Sequence, residues 1–181
     1  MSTPALTAWH DQNRRRTTEA IRTFGCSNTY VSDDADCPCC ALEGNRAQRR
    51  AAGARGRRKA PKPPFCYTTG LFGVGHPELV VFSLGPDASS ALLNSLAHRV
   101  LHGHDLTPGD EVPTDEPSRR ILVEELPNPG QIVLAANDYY DRPASHSVPA
   151  FQLTWSDALG RFPWEAGYSG GAQPRPGTFK A

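Results

Sequence analysis

The sequence predicts an α+β domain: a small mixed or antiparallel sheet with one main helix, preceded by a zinc-knuckle-like and basic arm. Three observations lead there. Residues 65–84, FCYTTGLFGVGHPELVVFSL, hold two apolar segments joined by a glycine-rich turn. Residues 88–102 repeat large apolar side chains at nearly helical spacing. Charge also separates along the chain: residues 1–64 carry 12 Arg/Lys against 6 Asp/Glu, a net +6, and residues 65–181 carry 7 against 13, a net −6. A total of 181 residues accommodates one domain and an extra segment. The division expected is an arm over 1–64, the domain over 65–170 and a flexible tail over 171–181.

In the arm, Thr17 to Phe24 suits a short helix with Ile21 and Phe24 on one side, capped by Asp11 or Thr17. Arg14, Arg15 and Arg16 run just ahead of it. Cys26 then opens a polar loop ending in Cys37, Cys39 and Cys40. The Cys37/Cys40 pair has knuckle spacing. With Cys26, and with Cys39 as fourth ligand or bystander, it forms a candidate Zn2+ site, because zinc takes four thiolate or imidazole ligands. His10 and Cys66 are alternative ligands. A redox dithiol fits the spacing too, but Asp33, Asp34 and Asp36 beside the thiols disfavour thiolates in the absence of metal. Between Arg46 and Lys62 there are eight basic residues and no acidic one. Arg46, Arg49, Arg50, Arg55, Arg57, Arg58 and Lys59 have no large apolar neighbour to bury. Their composition suits phosphate contact, with a solubilising linker as the plain alternative. Pro61, Pro63 and Pro64 end the segment.

In the domain, Phe65 to Leu71 and Leu79 to Leu84 are expected strands. The second is almost continuously apolar and so belongs at the sheet centre. Gly73 and Gly75 permit the turn between them. A helix follows over 88–102, with Leu92, Leu93, Leu96, Val100 and Leu101 at its apolar positions and Gly103 as its stop. His102, His104 and Asp105 suit a polar loop after a helix better than a metal cluster. Residues 107–110 and 113–117 are turns, and Arg120 to Leu126, Gln131 to Asn137 and Ala150 to Trp155 are further strands.

FCYTTGL (65–71), GHPELVVFSL (75–84), ALLNSLAHRV (91–100), the Pro-Gly at 108–109, VPAFQLTW (148–155) and GRFPWEAGY (160–168) together resemble the family called domain of unknown function 4262. The likeness covers about 65–168 and implies one shared fold. It brings no activity with it, and it leaves the cysteine and arginine segment to be read by itself.

Two function classes follow. The first is a zinc-binding adaptor or regulatory protein that contacts RNA or the ribosome through residues 46–62 and a protein partner through its acidic domain. The second is a hydrolase-like enzyme on the glycine-rich turn. There His76 would be the base and Glu78 its orienting carboxylate, with Cys66, Thr68 or Tyr67 as nucleophile or proton donor. Arg161, Glu165 and Trp164 would line its pocket. Each of these residues also has an ordinary role open to it: a turn histidine, an exposed glutamate, a small core cysteine, packing aromatics. No nucleophile elbow, P-loop, dinucleotide fingerprint or His-Glu-x-x-His pattern is present. No apolar run reaches membrane-span length and no secretory signal opens the chain, so a cytoplasmic protein without membrane contact is expected.

Overall fold

The computed structural model describes residues 3–32, 62–114 and 118–180. The chain opens on helix α1, Pro4–Phe24. Thr3 caps it, its hydroxyl accepting from the Leu6 amide at 3.3 Å, and Pro4 occupies the first turn with its φ already helical. The helix expected over 17–24 is thus the last third of a longer one, and the Thr3-Pro4 pair was the start signal. Gly25 ends α1 in a left-handed conformation, its amide donating to the Ile21 carbonyl at 2.8 Å.

Six strands follow, with two further helices between them. They are β1 (Ser27–Val31), β2 (Phe65–Thr69), β3 (Glu78–Phe82), α2 (Pro86–Leu101), β4 (Glu111–Pro113), β5 (Arg120–Glu125), α3 (Leu134–Tyr139) and β6 (Ala150–Trp155). They form one mixed sheet in the order β1-β2-β3-β6-β5-β4. Only β3 and β6 run parallel; the other four pairings are antiparallel. The continuous apolar character of β3 matches its place, since it is buried along its whole length between β2 and β6.

The pleat sends alternate residues to two cores. Cys66, Leu79, Val81, Leu153 and Trp155 meet Leu93, Leu96, Ala97 and Val100 of α2. On the other face, Phe65, Tyr67, Val80, Phe82 and Ala150 meet Ile132, Val133, Ala136 and Phe179.

Three expectations are corrected. The segment 131–137 is not a strand but a 3₁₀ turn, Pro129–Gln131, running into α3. Ile132, Val133 and Ala136 cover the sheet at helical spacing, and a short apolar run alone does not separate the two conformations. Residues 1–64 do not form an arm ahead of the domain. α1 and β1 belong to it, and Val31 is the register partner of Phe65, so the cysteine- and arginine-rich segment is an insertion in the β1–β2 connection. Residues 171–180 are not a free tail but lie against the sheet. Buried Gln152 donates to the Pro174 carbonyl at 2.7 Å, Gln173 bonds both backbone groups of Trp155, and Phe179 packs on Phe65 and Phe82. Polar side chains buried on the sheet need partners, and the C-terminal segment supplies them.

Two glycines set close approaches at the end of α1, Gly25 to Leu101 of α2 and Gly70 of the sheet to Gly25. A Cβ on Gly25 would overlap Leu101 Cδ1, and one on Gly70 would lie 2.8 Å from the Gly25 carbonyl oxygen. Gly70 also has φ +140. Gly70→Ala is expected to lower the unfolding free energy by roughly 2–3 kcal/mol, from backbone strain and the displaced α1–β1 junction, as measured by urea denaturation.

Candidate functional site

The glycine-rich turn is built around Glu78. This glutamate begins β3 and is completely buried. Its Oε2 accepts from the Thr68 hydroxyl at 2.6 Å and the Leu71 amide at 3.4 Å, and its Oε1 from the amides of Gly70 at 2.8 Å and Phe72 at 3.1 Å. Three of those donors open the 3₁₀ turn Leu71–Val74, whose first amides have no partner within the turn. The carboxylate therefore caps the turn from inside the protein. Thr68 Oγ1 in addition accepts from the Leu79 amide at 2.9 Å, which ties the end of β2 to the start of β3. Burial pushes the Glu78 carboxyl above its usual range, and the Thr68, Gly70, Phe72 and Leu71 hydrogen bonds pull it partly back.

His76 is also buried. Its Nδ1 lies 2.7 Å from the Pro77 carbonyl oxygen, and its Nε2 accepts from the Leu106 amide at 3.2 Å. A carbonyl only accepts, so Nδ1 carries the proton and Nε2 the lone pair. Both nitrogens are spent on backbone, and neither meets Glu78. Cys66 faces α2 in mid-sheet, and burial pushes its thiol up to about 11. The Tyr67 hydroxyl accepts from the Ala135 amide at 3.0 Å. The turn thus brings His76, Glu78, Thr68 and Cys66 into one region but leaves no free base beside a nucleophile.

Arg161, Glu165 and Trp164 are likewise engaged in a loop. Buried Asp157 accepts from the amides of Leu159 and Arg161 through Oδ1, and from Arg161 Nε, the Ser169 amide and the Ser169 hydroxyl through Oδ2. Burial opposes its charge, yet these bonds with Arg161, Ser169 and Leu159 hold its carboxyl well below the usual range. Glu165 accepts from the Phe162 amide at 2.6 Å, and Trp164 stacks between Phe162 and the Arg175 guanidinium.

Two hollows remain. One, of about 710 Å³, lies between α1 and α3 and is lined by Trp9, His10, Arg14, Thr17, Tyr139 and Arg142 among others. Across it Arg14 makes a bidentate pair with Asp141 at 3.2 and 3.1 Å, while Thr18 and Tyr139 share a hydrogen bond at 3.2 Å. The other, of about 420 Å³, runs along α2 between Leu92, Leu96, Ile121 and Trp155, with Arg99 and Arg119 in its lining. Sequence reasoning missed both, because each is assembled from segments far apart in the chain.

Of the metal candidates, Cys37, Cys39 and Cys40 lie outside the described residues, as do all of Arg46, Arg49, Arg50, Arg55, Arg57, Arg58 and Lys59. Cys26 is described. It is buried in the core on the α2 side, 3.9 Å from Asn94 Oδ1, and burial pushes its thiol up to about 11. Among the described residues no three His, Cys, Asp or Glu side chains are grouped to hold a metal, and no helix is long and apolar enough to cross a membrane.

Comparison with known proteins finds one family. Its profile, described as "Domain of unknown function (DUF4262)", matches residues 20–169, from the end of α1 to past Trp164. No curated protein and no solved structure matches.

The Glu78→Gln variant puts an amide NH2 where an acceptor is required. It is expected to lose about 1–3 kcal/mol of stability, as one buried donor goes unpaired.

Proposed function

This chain belongs to the DUF4262 family, and for it we propose an adaptor function: RNA contact, free or on the ribosome, through residues 46–62, and a protein partner for the acidic domain. The observation that carries the reading is the charge split. Eight basic residues without an acidic one stand in the insertion, against a net −6 over residues 65–181. Arginine forks suit phosphate oxygens, and counterion release supplies affinity without sequence specificity. The register of Val31 with Phe65 supports it further, since both ends of the insertion are fixed on adjacent strands of one domain. A hydrolase at the turn has no comparable support, because His76 and Glu78 are occupied by backbone amides, a backbone carbonyl and the Thr68 hydroxyl.

Cys37, Cys39 and Cys40 are the residues that would hold Zn2+, and their thiol chemistry fits that ion. Cys26 is the costliest ligand of the four to recruit, because its buried thiol would have to ionise. A bound ion would constrain the segment that carries the arginines, so zinc would govern RNA affinity.

One experiment addresses both parts. Zinc content and RNA affinity are measured for the wild type, for Cys37→Ser/Cys40→Ser and for Arg55→Ala/Arg57→Ala/Arg58→Ala, across a salt series. The expected result is near one zinc per wild-type chain and none in the cysteine variant. The arginine variant should show a shallower salt dependence, with the slope of log affinity against log salt reduced by about 2 for three lost phosphate contacts. No RNA affinity at moderate salt would overturn the RNA reading, and equal zinc in wild type and cysteine variant would overturn the metal reading.

A further inference from the structure

The exposed face of α2 carries two imidazoles that stack on each other. His98 and His102 are four residues apart, which on a helix brings their Cβ atoms to about 5–6 Å. Their rings are stacked, with centroids 4.0 Å apart and planes 28° from parallel. Both side chains are exposed, so the pair is not a by-product of core packing. His102 Nδ1 lies 2.8 Å from the His98 carbonyl oxygen and donates to it. That bond fixes the tautomer and leaves the Nε2 lone pair of the neutral ring pointing away from the backbone. A metal-binding histidine typically has this support, with one nitrogen anchored to a carbonyl and the other on the ion.

The position on the helix adds a second argument. His98 lies in the last turn of α2 and His102 is its C-terminal capping residue. The carbonyl ends of a helix attract positive charge, so a divalent cation is favoured there. Arg99, the neighbouring cation, lines the groove on the flank of α2 towards Trp155. His104 and Asp105, which stand beside His102 in sequence, are not grouped with the pair as a three-ligand cluster.

We propose that His98 and His102 form a two-imidazole site for a borderline divalent transition metal of the Zn2+, Ni2+ or Cu2+ class, with water completing the coordination shell. The stack opens by rotation of the exposed His98 side chain while His102 keeps its Nδ1 anchor, which lets both Nε2 atoms meet one ion. Imidazole prefers these ions over Mg2+ and Ca2+, which take oxygen ligands. The site is separate from the cysteine segment and stands whether or not that segment binds zinc.

Ni2+ is the probe, titrated calorimetrically into the Cys37→Ser/Cys39→Ser/Cys40→Ser chain so that those thiols do not compete. One Ni2+ is expected to bind per chain. His98→Ala or His102→Ala, added to that background, should each weaken binding by about 10–100-fold, while His10→Ala and His146→Ala should leave it unchanged. Ni2+ should also broaden the ring proton resonances of His98 and His102 before those of the other histidines. Absence of Ni2+ binding to the cysteine-free background, or affinity unchanged in both His98→Ala and His102→Ala, would overturn the proposal.

Discussion

Glu78 accepts from the Thr68 hydroxyl and from the amides of Gly70, Leu71 and Phe72, and the centre of the sheet depends on that set. The β2–β3 ladder pairs Phe65, Cys66 and Tyr67 with Phe82, Val81 and Val80 and goes no further. Beyond it the chain must turn inside the protein, where each unpaired amide would cost about 1–3 kcal/mol. One carboxylate and one hydroxyl take over where the strand ladder stops. The same turn positions Gly70 against Gly25, so α1 and β1 take their places from it, and it positions Gly73 to donate to the Tyr140 hydroxyl at 3.1 Å, which links it to α3. A buried glutamate is costly. It persists here because the backbone geometry supplies as many donors as it has uses for.

The two faces of the sheet are closed by different means. Towards α2 the strands present Leu79, Val81, Leu153 and Trp155, and an amphipathic helix covers them. Towards the other face β6 presents Gln152 and Thr154, which no apolar helix can satisfy. The C-terminal segment lies there instead, bringing the Pro174 carbonyl to Gln152 and Arg175 to Glu124, itself bonded to Thr154. The Arg161-Phe-Pro-Trp-Glu165 stretch belongs to the same closure. Asp157 gathers the loop amides, Arg161 pairs with it at 2.9 Å, and the chain is steered back across β6. Residues that look like the parts of a polar pocket are therefore parts of a fastening.

The insertion between β1 and β2 starts and ends on paired strands. α2 displays a histidine pair on one flank and borders a groove on another.

The sequence by itself determined the elements whose signals are local. Ala150–Trp155 is a strand with the bounds its alternation predicts, β3 is central as its unbroken apolar run requires, and α2 follows the spacing of Leu93, Leu96 and Val100. The charge split, too, is a property of composition. Tertiary structure alone decided the rest, because the deciding partners are distant in the chain. Ser27–Val31 is polar and became a strand by pairing with Phe65–Thr69. Residues 131–137 were apolar enough for either conformation, and packing on the sheet chose the helix. His76 and Glu78 have ordinary turn roles open to them in the sequence, and which partners fill those roles, the Leu106 amide and the amides of residues 70–72, is visible only in the fold. Residue type states which bonds a side chain is able to make, and only the folded chain states which of them are already made.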